Sequence, residues 1–248
     1  SYTGYSMVKK ARDMIRNEML GDIRFINIEY PQEWLSSRIE VSGNKQASWR
    51  LDPEQAGPSS CIGDIGTHVE NLAWYITGLR IKRLSARLDR IVEGRASDDN
   101  GVVLVDYEGG AKGNYWCSQV AIGSKNGLRF RIFGSKGTLE WEQESPEHLY
   151  YTKINGSTIR ISRGDGEMLG VDSFSRLPAG HPEGFFVALS NIYAAFSDFL
   201  IAQKENADSA HPFNYDFPSG LAGLNGVRFV EKCIESSEQD SSWVYFSG

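Results

Sequence analysis

Cationic excess, cysteine pairs, histidine clusters and long apolar runs are all wanting in this 248-residue chain, and each shortage excludes something. Lys and Arg number 26 against 32 Asp and Glu, a formal net charge of -6. A protein that tracks phosphates needs a clustered basic surplus, so no nucleic-acid partner is expected. The one basic cluster, Arg80, Lys82, Arg83, Arg87 and Arg90, alternates with apolar residues and reads as the solvated face of a strand. The 3 cysteines, Cys61, Cys117 and Cys233, are odd in number and fit no C-x-x-C or Cys/His metal spacing, which suits a reducing, cytoplasmic compartment. No run approaches the roughly 18 apolar residues of a membrane span, and no charged-then-apolar signal opens the chain, so no membrane partner is expected. An initiator Met is also missing, and Tyr2-Thr3-Gly4-Tyr5 leads almost at once into a helical pattern, which reads as a cut start.

What is present is an α+β order. Met7, Val8, Ala11, Met14, Ile15 and Met19 recur at helical spacing over 7–20, with Gly21 as the expected stop. A strand pattern covers 23–30, and a long aromatic-rich loop covers 31–63, a length usually reserved for function or disorder. A buried helix is expected over 68–76, closing at Gly78. From 84 to 161, β-branched and aromatic runs separated by Gly109-Gly110, Gly123, Gly134, Gly137 and Asn155-Gly156 predict a mostly antiparallel open sheet of at least about six strands. A second long loop over 163–180, a helix over 183–201, a helix starting near Pro218 and a strand over 243–246 complete the pattern.

This order lacks the strict alternation of a doubly wound domain, so no complete dinucleotide-binding fold is present. The glycines agree: the run from Gly164 through Gly166 to Gly170 is one residue too long for G-x-G-x-x-G, and Gly220, Gly223 and Gly226 are also wrongly spaced.

The densest chemical signal is Gly63-Asp64-Ile65-Gly66-Thr67-His68 at the start of a helix. A carboxylate and an imidazole four apart can project from one side of a helix. Glycine permits a tight turn and close ligand approach, Asp64 can cap free amides and orient His68, and a histidine near neutrality can take a hydroxyl proton. On its own the pair also reads as an N-cap followed by a satisfied core histidine.

The flanking sequence adds weight. Trp49-Arg50-Leu51-Asp52-Pro53, Ala56-Gly57, the Asp64 to His68 block and Asn71-Leu72 together resemble the Gfo/Idh/MocA family of glucose-fructose oxidoreductases and inositol dehydrogenases. The segments 5–21 and Gly180-His181-Pro182-Glu183-Gly184-Phe185 resemble further parts of its members, so essentially the whole chain is covered. The resemblance implies a linking helix at 1–21 and, at 22–248, a substrate-binding and oligomerisation domain with helices packed on one face of its open sheet. It implies an NAD or NADP cofactor bound elsewhere, a sugar, inositol or polyol substrate, and a homo-dimer or homo-tetramer formed through the sheet. His68 would deprotonate the substrate hydroxyl as hydride leaves the same carbon, with Asp64 orienting the sugar hydroxyls. The family's Glu-Lys-Pro motif is absent, since Glu231-Lys232-Cys233 does not match it, so the isolated chain is expected to be inactive.

Trp49 and Arg50 can supply a stacking face and a hydroxyl donor for substrate, or only packing. His181 and Glu183 can reach the same pocket, or only form a helix start. His148 and His211 read as surface residues. Two other functions stay open: a metal-dependent isomerase or hydrolase using Asp64, His68, His181 and Glu183 as ligands, and a non-catalytic oligomerisation module. The favoured reading assigns no metal.

Overall fold

A computed structural model of the chain describes residues 1–166, 171–205 and 215–246. Its strands are β1 (Ile23–Pro31), β2 (Ile81–Asp89), β3 (Asn100–Tyr107), β4 (Lys112–Ser118), β5 (Arg129–Gly134), β6 (Gly137–Glu142), β7 (His148–Lys153), β8 (Thr158–Ser162) and β9 (Val244–Tyr245). The helices are α1 (Ser6–Arg16), α2 (Lys45–Arg50), α3 (Pro53–Ala56), α4 (Thr67–Thr77), α5 (Phe185–Lys204) and α6 (Gly220–Glu238). One sheet takes the order β8-β7-β6-β5-β1-β4-β3-β2-β9, antiparallel throughout except where β1 runs parallel to β4. The α+β class and the mostly antiparallel open sheet are as the sequence implied.

Period-two alternation builds the core. The register places Ala86, Val103, Tyr115, Ile28, Phe130 and Trp141 in one row across six strands, all of them buried. Each large apolar side chain in that row contributes roughly 1.5–3 kcal/mol of burial. α1, α4 and α6 cover this face. The opposite face carries polar ladders, with Asn114 Nδ2 donating to Asn27 Oδ1 at 3.0 Å and Arg129 paired to Glu29. Phe25, Val102 and Leu104 stand exposed on the same strands. The basic cluster is strand surface, where Arg83 pairs with Asp106 and Arg87 with Asp89.

Several boundaries differ from the sequence reading. α1 stops at Arg16, not near residue 20, because Glu18 turns left-handed at φ 57° and Met19 N–H donates back to Met14 O. Gly21, at φ 64°, instead shapes the step into β1, where a Cβ would collide with Ser135 Oγ. Residues 31–63 are no bare loop: they hold a 3-10 turn, α2, α3 and the start of a π-helical turn, around a small core of Leu35, Ala47 and Leu51. α6 starts at Gly220, two residues past Pro218, with the Ser219 hydroxyl accepting from Ala222 N–H.

α1 is integral to the fold, since Met7, Val8, Ala11 and Met14 are buried and its buried Lys9 pairs with Asp216 ahead of α6. Arg12 joins the same carboxylate through both terminal nitrogens, at 2.8 and 2.7 Å. Among the described residues, α5 is long and apolar enough to cross a membrane by length and composition. Its Asn191 is docked on the domain, donating to Gly4 O at 3.0 Å and Phe174 O at 2.8 Å.

Glu70 on α4 is buried near the hydrogen-bonded Tyr107 and Tyr115 phenols, and its Oε2 has no partner among the described residues. Burial pushes its pKa up from 4.5 to about 7. A carboxyl raised in the folded state contributes stability that is complete below 4.5 and is lost as pH rises through 7. Glu70→Gln is therefore expected to raise stability by about 1–2 kcal/mol at pH 8 and to change it little near pH 4.5, as read by thermal or urea unfolding at the two pH values.

Candidate active site

The start of α4 is held by a carboxylate from beneath. Asp98, itself buried, accepts from Ser60 N–H at 3.0 Å and Ile62 N–H at 2.9 Å, and its carbonyl accepts from Cys61 N–H at 3.1 Å. The chain then makes a π-helical turn over Ile62–Gly66 and continues directly into α4, with Ile62 and Ile65 buried below it. π-turns inside helices often mark functional sites. Gly66 has ordinary helical torsions, φ -64° and ψ -35°, so backbone freedom is not what glycine supplies there. It makes close contact instead: a Cβ would stand 3.1 Å from the Ile62 side chain.

Asp64 does not cap α4, contrary to expectation. Its Oδ2 accepts from Gln119 Nε2 at 2.9 Å and lies 3.3 Å from Arg50 Nε. The Arg50 guanidinium stacks over the Trp49 ring, 4.4 Å from its centroid, and approaches Trp34 at 5.9 Å. Asn44 fixes α2 by accepting from Gln46 N–H and Ala47 N–H at 3.0 and 3.1 Å, and α2 brings Trp49 and Arg50 to Asp64. A carboxylate oriented by an amide and a guanidinium, beside a half-exposed indole, can bind the hydroxyls and apolar face of a sugar.

His68 is half-buried on the first turn of α4. The Tyr2 ring meets it edge-on at 5.1 Å and Tyr30 packs at 6.3 Å. Their hydroxyls bond each other, and Tyr30 Oη donates to Asn126 Oδ1 at 2.6 Å, which also accepts from Gln32 Nε2 at 3.0 Å. Burial, opposed by Asp64, lowers the His68 pKa from 6.5 to about 4. At neutral pH the ring is uncharged, and neither ring nitrogen has a hydrogen-bond partner among the described residues. It is thus not a satisfied core histidine but a free acceptor.

The other expected ligands lie apart. Glu183 is used locally: its Oε1 accepts from Leu177 N–H at 2.6 Å and from Arg176 N–H, and sits 3.6 Å from Arg163. His181 is exposed, and its carbonyl accepts from Arg163. Glu183 therefore secures the turn before α5, and the structure gives neither residue a contact with Asp64 or His68. Among the described residues no group of three or more His, Cys, Asp or Glu is placed to hold a metal ion. His148 is half-buried in β7 and pairs with Ser162 Oγ at 3.1 Å, whereas His211 lies outside the described residues. A cavity of about 470 Å³ lined by Arg12, Trp74, Tyr75 and Asp216 does not include His68.

Sequence reasoning missed Tyr2, Tyr30, Gln32, Gln119 and Asn126. Tyr30 closes a strand and Gln119 follows one, so each was readable as a strand end. The parallel register pairing Pro31 with Ser118, which sets them side by side, has no local signature.

Comparison with known proteins now bears on this geometry. The GFO/IDH/MocA C-terminal domain family matches residues 8–140. The chain belongs to the Gfo/Idh/MocA oxidoreductase family. It is 34% identical to an uncharacterized oxidoreductase, YfiI, of Bacillus subtilis, over 99% of this chain and 63% of that protein. Among solved structures, an inositol dehydrogenase homologue of Azotobacter vinelandii complexed with NAD+ superposes with a TM-score of 0.92 at 36% identity, over 98% of this chain and 63% of that one. The same description with NADH and myo-inositol gives 0.88 at 34%, over 98% and 62%. The chain thus spans about 63% of the length of these Gfo/Idh/MocA relatives.

A histidine depressed on folding rejects a proton that the unfolded chain accepts. The stability it contributes is complete above pH 6.5 and is lost as pH falls through about 4. Partial exposure discounts the effect, so His68→Asn is expected to lose about 1–2 kcal/mol less than the unaltered chain between pH 7 and pH 4 in urea titrations.

Proposed function

We propose that this chain is the substrate-binding part of an NAD- or NADP-dependent dehydrogenase that oxidises a secondary hydroxyl of a sugar, inositol or related polyol. The observation that carries the proposal is an uncharged, unpartnered His68 on the helix turn that also presents Asp64, oriented by Arg50 and Gln119. The partner names that support it are the inositol dehydrogenase homologues described with NAD+, NADH and myo-inositol.

These residues do not fit a dinucleotide. Gly164 lies in the turn after β8, Gly220, Gly223 and Gly226 lie within α6, and no glycine-rich strand-to-helix turn occurs among the described residues. The cofactor would be held by another part of the protein, and the isolated chain is expected to be inactive.

On the substrate side, a sugar hydroxyl donates to the free His68 nitrogen, which takes its proton as the carbon acquires carbonyl character. With a pKa near 4 the ring is a weak base, but it is ready in its accepting form at physiological pH. Asp64 accepts from a neighbouring hydroxyl, and Trp49, 41% exposed, offers a face for the sugar's C–H groups. Burial, reinforced by Tyr2 and Asp64, keeps the Tyr30 phenol protonated, with its proton donated to Asn126.

Assembly as a homo-dimer or homo-tetramer through the open sheet face is part of the same proposal, supported by the exposed Phe25, Val102 and Leu104. A cytoplasmic location goes with it, on the three unpaired buried cysteines.

The test is nicotinamide absorbance with a panel of sugars and inositols. The whole protein is expected to reduce NAD or NADP, His68→Ala to lose about 10²–10⁴-fold in kcat, and Asp64→Asn to lose chiefly in KM. Silence of the whole protein across the panel, or full activity of His68→Ala, would overturn the proposal.

A further inference from the structure

Trp49 and Arg50 stand on an excursion, residues 33–57, whose own core is too small to fix its place on the domain. Arg95, a residue of the segment between β2 and β3, does much of that work. Its side chain is 1% exposed. Nη1 donates to Asp99 Oδ2 at 3.0 Å, Nη2 to Ser37 O at 2.9 Å, and Nε lies 3.5 Å from Glu40 Oε1. The fully buried Asp99 also accepts from Ile91 N–H at 2.8 Å and Val92 N–H at 2.9 Å, so it is anchored to the body of the domain.

From this pair the contacts close into a ring. Asp99 O accepts from Gln119 N–H at 2.9 Å, and Gln119 O accepts from Leu35 N–H at 2.9 Å. The Gln119 amide holds Asp64 at 2.9 Å, Asp64 meets Arg50, and Ser48, beside Trp49, donates its hydroxyl to Asn44 O at 2.8 Å with Glu40 O packed 3.3 Å from the same Oγ. Glu40 returns the path to Arg95. A fully buried guanidinium spent on a surface excursion costs desolvation that only multiple good contacts offset. Its hydrogen bonds to Asp99 and Ser37, with the Glu40 carboxylate at ion-pair distance from Nε, use the planar, divided geometry that arginine supplies and lysine does not.

We infer that Arg95 is a positioning residue: acting through Asp99, Gln119 and Glu40, it sets where Arg50 and Trp49 stand relative to Asp64, and so governs substrate affinity without touching substrate. The inference rests on the proposed sugar or polyol site. It requires that loosening the ring weaken substrate binding while the chemistry at His68 and the binding of nicotinamide are left alone.

Arg95→Lys and Glu40→Gln in the whole protein test this. Lysine keeps a charge against Asp99 and so protects folding, but one ammonium cannot also bridge Ser37 and Glu40. Arg95→Lys is expected to raise KM for the sugar or polyol about tenfold, with kcat within about threefold and the nicotinamide KM unchanged. Glu40→Gln, which leaves Arg95–Asp99 intact, is expected to move the same constant in the same direction by less. In hydrogen exchange, the amides of 33–57 should exchange faster in Arg95→Lys while those of 67–77 hold. Unchanged substrate KM in both variants overturns the inference, as does a uniform fall in kcat, both KM values and folded fraction. If the unaltered protein reduces no nicotinamide, the proposed function fails, and unchanged exchange over 33–57 then overturns the positioning role separately.

Discussion

β1 enters the sheet between β4 and β5 and runs parallel to β4, and that one pairing decides where a site can form. Its register sets Pro31 against Ser118, so Gln32 N–H donates to Ser118 O at 2.7 Å and the chains leave the sheet together. Tyr30 and Gln32 arrive from one strand and Gln119 from the other, beside the turn that starts α4. Without the parallel pair, Asp64 would lose the amide that orients it and His68 the tyrosine packed on its ring. Open sheets place ligands at the carboxyl ends of parallel strands for the same reason. In this mostly antiparallel sheet only one such pair exists among the described residues, and Tyr30, Gln32 and Gln119 lie at its end.

Electrostatics then separates the roles. Asp64 has a guanidinium and an amide as partners and is partly exposed; His68 has aromatic rings around it and no partner for its nitrogens among the described residues. The candidate site therefore holds a carboxylate with two partners beside an imidazole with none. Asp98 supports both by fixing the backbone from below, so the precision of the site depends on a buried carboxylate that never meets the ligand.

Much of this was legible locally. Alternation and turn signals over β1 to β8 gave the sheet, helical spacing gave α1, α4 and α5, and the Asp64 to His68 block marked the candidate site because a carboxylate, glycine and imidazole at a helix start are conspicuous in any context. What failed was nonlocal or cooperative. The partners of Asp64 could not be read because Arg50 and Gln119 come from 14 and 55 positions away in sequence. Glu183 read equally as reaching the pocket or as part of a helix start, and its carboxylate accepts from amides of the turn before α5. The 31–63 segment read as a long loop because its small core draws Leu35 from a turn and only Ala47 and Leu51 from α2 and its end, too few to show a period.

The account turns on His68 being an uncharged, unpartnered imidazole at neutral pH. The most direct measurement is a pH titration of its ring nitrogens by NMR in protein carrying ¹⁵N-labelled histidine, assigned with the His68→Asn variant. The ring should remain neutral down to about pH 4, with both nitrogens free of strong hydrogen bonds until a polyol is added. A midpoint near the ordinary 6.5, or a ring nitrogen already engaged in the unliganded protein, would contradict it.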